Sequence, residues 1–206
     1  MATSPLLLDH LVLATPDLAA TVADFTRRSG VAPAPGGAHV GLGTRNHLVG
    51  LGGSAYLEIV GPDPEQPEPA RPRPFGNDRL TAPAVVTWAI RPPALDATVT
   101  EAHAAGTEVG PVRAMSRQRP DGTLLEGRLT LDESAGLVPF LIDWGTTAHP
   151  SAGLPSVSLR SVAASAPDPA EVSRRRVTLG TALDVAEGPA GLTARLDTPA
   201  GTVDLP

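Results

Sequence analysis

The chain has no cysteine and no lysine. The first absence excludes disulfides, thiolate nucleophiles and cysteine-ligated zinc, and the second excludes Schiff-base chemistry on a lysine. All 16 basic residues are arginine. With the wealth of alanine, glycine and proline, this reads as the codon usage of a GC-rich genome, or else as selection for the forked, always-charged guanidinium. Aromatic residues make up 3% of the chain, so small side chains must fill most of any core. No apolar run approaches the roughly 18 residues that span a bilayer. The opening MATSPLLLDH lacks a basic stretch, and its apolar run is too short for a secretory signal, so a cytoplasmic protein without membrane contact is expected. The net charge is −6, and no basic stripe is interleaved with aromatics, so nucleic acid is not an expected partner. A Gly-rich phosphate loop, a nucleophile elbow and an HExxH helix are all missing, and no organic cofactor is indicated.

What is present is a repeat. A strand, a turn, a helix and a closing glycine recur with a period of about 75 residues. The copies read LDHLVLATPDLAATVADFTRRSG (8–30), VVTWAIRPPALDATVTEAHAAG (85–106) and VSLRSVAASAPDPAEVSRRRVTLG (157–180). In the first copy, residues 9–14 predict a strand, Asp17 an N-cap, and Leu18, Val22 and Phe25 one helix face. Arg27 and Arg28 suit the end of the helix dipole, and Gly30 can take the left-handed closing position. The Pro/Gly-rich 31–38 predicts a loop, followed by strands at 39–42, 44–51 and 55–61, the last two joined at Gly52-Gly53. This is a βαβββ unit.

Prolines at 62, 64, 67, 69, 72, 74 and 83 make 62–83 a linker, in which PFGNDRL (74–80) could serve as a lid or a plain connector. The second unit repeats the order, with strands at 84–90, 108–115, 124–131 and 138–144 and a helix face of Leu95, Val99 and Ala102. The third is cut down: a strand at 156–164, a helix at 169–179 behind Asp168, and short strands at 182–186, 192–197 and 202–205. Arg174, Arg175 and Arg176 on its helix predict a solvated face or a partner contact. The expected division is therefore a first module at 1–61, a Pro-rich linker or lid at 62–83, a second module at 84–150 and a truncated third at 151–206.

Two βαβββ units in this order resemble the vicinal oxygen chelate superfamily. LDHLVLATPDL, GTRNHLVGLGGSAYLEIVGPDP, SRQRPDG and VPFLIDWG are together similar to its uncharacterised glyoxalase-like domain family. The resemblance implies an α+β fold in which paired modules curl their mixed sheets into a cup. It also implies a divalent metal in the cup that chelates two neighbouring substrate oxygens, held by a His from the first strand and a Glu from the fourth. Those positions are His10 and Glu58, and strand alternation places each on one face with its neighbours: His10 with Val12 and Ala14, Glu58 with Tyr56 and Val60. Such ligands suit zinc, iron(II), manganese or nickel. The strand at 84–90, where the family places a third ligand, offers only Thr87 and Trp88. The strand at 138–144 offers only Asp143 for the fourth, so His47, Glu126 and Asp143 are the candidate substitutes. The plain alternative is a strand histidine satisfied locally and a glutamate paired with arginine.

Arg45, Arg117 and Arg119 lie in TRNH and SRQRPDG, where a guanidinium fork could bind a substrate carboxylate or simply cap a hairpin. Trp88, Trp144 and Phe75 are candidates for an apolar wall of the cup, or for core. Two functions follow. One is a metal-assisted isomerase, lyase or dioxygenase acting on a small oxygenated, anionic molecule, with Glu58 as ligand or base. The other is a metal-free protein that binds or sequesters a small molecule, in the manner of antibiotic-binding relatives. An odd third unit with an unpaired sheet edge also predicts packing of residues 156–206 against the first two units or in a homodimer.

Overall fold

The computed structural model describes residues 8–118, 122–130, 136–181 and 183–206. Strand β1 (Leu8–Ala14) leads into helix α1 (Leu18–Ser29), followed by β2 (Ala34–His39), β3 (Thr44–Gly50) and β4 (Tyr56–Pro62). The order returns as β5 (Ala84–Ile90), α2 (Leu95–Ala104), β6 (Val112–Gln118), β7 (Leu124–Thr130) and β8 (Phe140–Asp143). Both halves are wired alike, β1-β4-β3-β2 and β5-β8-β7-β6, with β1 parallel to β4 and β5 parallel to β8. Antiparallel contacts of β1 with β5 and of β2 with β6 join the halves at both edges. The pairing therefore runs round eight strands and returns to β1, an α+β fold of paired βαβββ modules with a curled sheet.

Local chemistry sets the helix ends. The Asp17 carboxylate accepts from Ala20 N at 2.9 Å, and Gly30 closes α1 at φ 73°, a conformation glycine adopts without penalty. Alternation along the strands then sorts side chains into two layers. Leu11, Leu13, Leu57, Ile59, Trp88 and Ile90 face outward into a core with Leu18, Phe25, Leu95 and Ala102 of the helices. Val12, Ala14, Val60, Ala89, Leu125, Phe140 and Ile142 turn into the ring. Each such burial contributes about 1.5–3 kcal/mol for a large side chain.

Three details depart from the sequence expectation. The stretch expected as a loop holds β2, and the turn falls after it. Pairing with β3 overrides the Pro/Gly composition here, with a register shift between Pro35 and Gly37, and a proline is tolerated at such a bulge. Strand β6 begins at Val112 rather than residue 108, after left-handed Gly110 (φ 75°) and Pro111. The linker contains a short 3-10 turn, Pro74–Arg79, with Phe75 (φ 62°) and Gly76 (φ 68°) both left-handed. A bulky residue rarely adopts that conformation, and here the Phe75 ring packs into the inner layer, 6.5 Å from Phe140.

The third segment comprises β9 (Ser158–Ala166), α3 (Pro169–Val177), β10 (Val185–Glu187), β11 (Gly191–Thr198) and β12 (Gly201–Leu205). It repeats the βαβββ order along the chain but is wired β10-β9-β11-β12. It extends the sheet from the start of β5, with Leu192 opposite Val85, and Leu179, Leu192, Leu196, Val203 and Leu205 join the outer core. The segment packs within its own chain, and its edges are managed there. Strand β10 has three residues, while the end of α1 covers β12 through Arg28 Nη2 donating to Asp204 O at 2.8 Å. Short or covered edges discourage strand pairing between chains. The arginine triplet divides: Arg174 is exposed and pairs with Glu171, Arg175 donates to Glu108 O at 3.1 Å, and Arg176 is 2% exposed, so the expected solvated face is corrected at Arg176 alone. No helix among the described residues is long and apolar enough to cross a membrane.

Candidate functional site

The ring interior is apolar on one side and polar on the other. His10 from β1, Tyr56 and Glu58 from β4, Asn46 from β3, His39 at the end of β2 and Arg117 from β6 converge around the Glu58 carboxylate. On one side, His10 Nε2 lies 3.6 Å from Glu58 Oε2. On the other, Oε1 accepts a short hydrogen bond from Asn46 Nδ2 and faces His39 Nε2 at 3.5 Å and Arg117 Nη1 at 3.9 Å. Antiparallel pairing of Ala38 with Gln118 brings His39 and Arg117 opposite one another across the β2–β6 joint. Burial favours the neutral acid at Glu58, yet its pKa is lowered to about 2. The hydrogen bond and charge of His39, followed by His10 and Arg117, outweigh desolvation.

His10 is fixed on three sides. Its ring stacks on Tyr56 with centroids 4.6 Å apart and meets the edge of Phe140 at 5.3 Å. Its Nδ1 is 2.7 Å from Asp9 Oδ1. Asp9 is fully buried, and its other oxygen receives Trp144 Nε1 at 3.1 Å and His149 Nε2 at 2.8 Å, with Arg91 Nη1 at 3.6 Å. Burial again opposes ionisation, but the hydrogen bonds of His10 and His149 hold the Asp9 carboxyl well below the usual range. Tyr56, fully enclosed between Asp9 and Glu58, is pushed the other way, first by burial and then by those two carboxylates, and stays a neutral phenol.

The structure brings His10, Glu58 and Arg117 together, with Trp144 bonded to Asp9 and Phe75 in the inner layer. Other candidates lie elsewhere. Trp88 faces the outer core, donating to Leu137 O at 3.1 Å, because it shares a face with Leu11 across the β1–β5 pairing. His47 follows inward-facing Asn46 and so projects from the opposite face of β3. Arg45 sits there too, paired with Asp63 and Glu65 at 3.5 and 3.1 Å. Glu126 is exposed, since Leu125 takes the inward position on β7. Asp143 pairs outside the ring with Arg128 at 2.9 Å. Arg119 lies outside the described residues. Sequence reasoning missed Asp9, His39, Asn46, Tyr56 and His149. Only Asp9 and Tyr56 carried a signal, as the neighbour of one candidate and the same-face partner of the other.

A chelated divalent ion does not fit the donor set described. Among the described residues no group of three or more His, Asp or Glu side chains is arranged to hold a metal. His10 and His39 both face Glu58, but on its two different oxygens, at 3.6 and 3.5 Å, as ion-pair partners rather than as donors converging on one point. Three convergent protein donors are the usual minimum at a catalytic zinc. Thr87, opposite Val12, is the sole side chain on β5 with an oxygen that a metal could use. On β8 the inward positions are Phe140 and Ile142, with Phe140 lying against His10. The Arg117 cation beside Glu58 opposes a second positive charge at the same oxygen.

A ring of paired βαβββ modules is the architecture of the vicinal oxygen chelate superfamily, which the sequence resembles. The family profile described as "Glyoxalase-like domain" matches residues 8–180, and the chain belongs to that family. No curated protein sequence matches it. Among solved structures, it is similar to a hypothetical protein from Staphylococcus aureus, at 13% identity and TM-score 0.65, covering 96% of this chain and 84% of that one. It is also similar to methylmalonyl-CoA epimerase from Mycobacterium tuberculosis, at 18% identity and TM-score 0.41, covering 69% and 90%. A single-residue variant of the Streptomyces coelicolor epimerase, in complex with 2-nitronate-propionyl-CoA, matches at 21% identity and TM-score 0.44, covering 66% and 95%.

Proposed function

We propose that this protein is an isomerase or lyase that moves a proton on a small oxygenated molecule inside the ring, using its own side chains rather than a chelated metal. The observation that carries the reading is the chain Asp9–His10–Glu58, at 2.7 and 3.6 Å. Burying ionised groups costs several kcal/mol each even after relaxation, so such a chain is a poor device for stability alone. Asp9 binds Nδ1 of His10 and leaves Nε2 directed at the reacting space, the orienting arrangement of an Asp–His pair. His10 takes the proton from the substrate at Nε2, and Glu58 stabilises the imidazolium that forms. With a pKa near 2, Glu58 is poorly matched to carry the proton at neutral pH. Its role is electrostatic, rather than that of ligand or base. Return of the proton to another substrate atom gives isomerisation, and loss of a leaving group gives elimination.

Proton nuclear magnetic resonance in heavy water tests this, using small 2-hydroxy and 2-oxo carbonyl compounds with the untagged full chain. Protein-dependent exchange of the carbon-bound proton is expected to persist in excess chelator and to fall at least a hundredfold in His10→Gln. Exchange that needs an added divalent ion, or that survives in His10→Gln, overturns the reading. A second reading, a metal-free protein that sequesters a small ligand, draws on the apolar filling of the ring by Phe75, Leu125, Phe140 and Ile142. It predicts binding without exchange.

A further inference from the structure

Arg117 is 3% exposed, and its Nε and Nη2 have no hydrogen-bond partner among the described residues. A buried cation with orphaned donors is costly, and its third nitrogen is the one turned to Glu58, at 3.9 Å. Nε–H and one Nη2–H leave the same edge of the planar guanidinium in parallel. That edge is the fork that matches two oxygens on one atom, and it lies buried without a partner among the described residues.

Resting on the proton-transfer reading of the same site, we propose that Arg117 binds the carboxylate of the substrate bidentately, so that the protein acts on small carboxylic acids. Charge decides between oxyanions. The fork is the one guanidinium within 4 Å of Glu58 among the described residues, and Glu58 is itself ionised. A monoanionic carboxylate is balanced by the fork, whereas a dianionic phosphate would add a second negative charge beside Glu58. Access lies beside His39, whose side chain is 15% exposed where those of His10 and Glu58 are 4% and 8%.

The test follows the Arg117 Nε–H signal in nitrogen–proton correlation spectra of the full chain, identified by its loss in Arg117→Lys. Acetate, lactate and pyruvate are the probes, with pyruvamide as the uncharged counterpart and inorganic phosphate as the competing anion. The carboxylates are expected to shift the signal and to bind at least about tenfold more weakly to Arg117→Gln, pyruvamide to leave it unmoved, and phosphate to bind more weakly than pyruvate. Glu58→Gln should bind pyruvate several-fold more tightly. An Nε–H signal unmoved by all three carboxylates overturns the proposal, as do unchanged affinity in Arg117→Gln and preference for phosphate. The Nε–H shift in the parent protein needs no variant to fold, so it decides even if Arg117→Gln does not. Carboxylate binding at Arg117 without proton exchange would sink the enzyme reading alone. Exchange that is indifferent to Arg117 would sink this one alone.

Discussion

Asp9 and His10 are consecutive residues of one strand, yet Asp9 Oδ1 and His10 Nδ1 meet at 2.7 Å. Neighbours on a regular strand point to opposite faces. The β1–β5 pairing shifts register between Leu8 and His10, and this bulge lets the two side chains turn toward each other. Bulges of this kind re-aim side chains beside functional sites. Asp9 gathers groups from three parts of the chain: His10 on its own strand, Arg91 just past β5, and Trp144 and His149 past β8.

Removal of that carboxylate should be expensive. Asp9→Ala leaves His10, His149 and Trp144 without their acceptor, and breaking a buried charge network in this way costs about 3–5 kcal/mol. Asp9→Asn keeps the shape and one acceptor and should cost less. Urea unfolding followed by circular dichroism measures both. A loss under about 1 kcal/mol in Asp9→Ala would contradict the assigned network.

Stability should fall on the acid side for a reason that can be traced to the site. Glu58 has a folded pKa of about 2 against an ordinary 4.5, and Asp9 is also depressed. A depressed carboxylate contributes fully above its unfolded pKa and loses that contribution as pH falls through its folded pKa. The window is therefore from about 4.5 down to about 2. Urea midpoints between pH 6 and pH 2 should drop across it, and Glu58→Gln should flatten the drop. Parallel curves for parent and variant would remove Glu58 from the acid limb.

Metal content offers an independent check. With His10 and His39 facing different oxygens of Glu58 and a guanidinium beside them, untagged protein purified without chelator should carry well below one zinc, iron, manganese or nickel ion per chain. His10→Ala should not change that content, and added metal should not raise the melting temperature. One ion per chain, lost in His10→Ala, would restore a metal-dependent mechanism.

How much was legible in the sequence depended on the range of the interaction. Short-range signals served well: Asp17 and Gly30 bound α1, and alternation put His10 and Glu58 on inward faces. Two elements failed where pairing decided. β2 forms through a Pro/Gly-rich stretch because β3 supplies its partner, and Trp88 turns outward because it pairs with outward-facing Leu11 on β1. His39 and His149 reach the site by a strand end and a loop, positions that no periodicity marks. Arg117 was legible as a type of residue in SRQRPDG, but its buried, unpaired fork is a property of the ring.

The third segment supports a last prediction. Leu192, Leu196, Val203 and Leu205 share one core with Leu11, Leu57 and Phe25, and Arg28 and Ser29 at the end of α1 bond to Asp204 O and Ala200 N. Deletion of residues 151–206 would strip that core of one wall and uncover the start of β5, which Leu192 and the Pro206 carbonyl now cover. Each large apolar side chain so lost is worth about 1.5–3 kcal/mol, and several together exceed the roughly 5–15 kcal/mol total stability of ordinary domains. A chain ending at Pro150 should therefore fail to unfold cooperatively and should aggregate, as judged by calorimetry and light scattering beside the full chain. A truncated chain that melts within a few degrees of the parent would show that the ring folds alone and that residues 151–206 are an appendage.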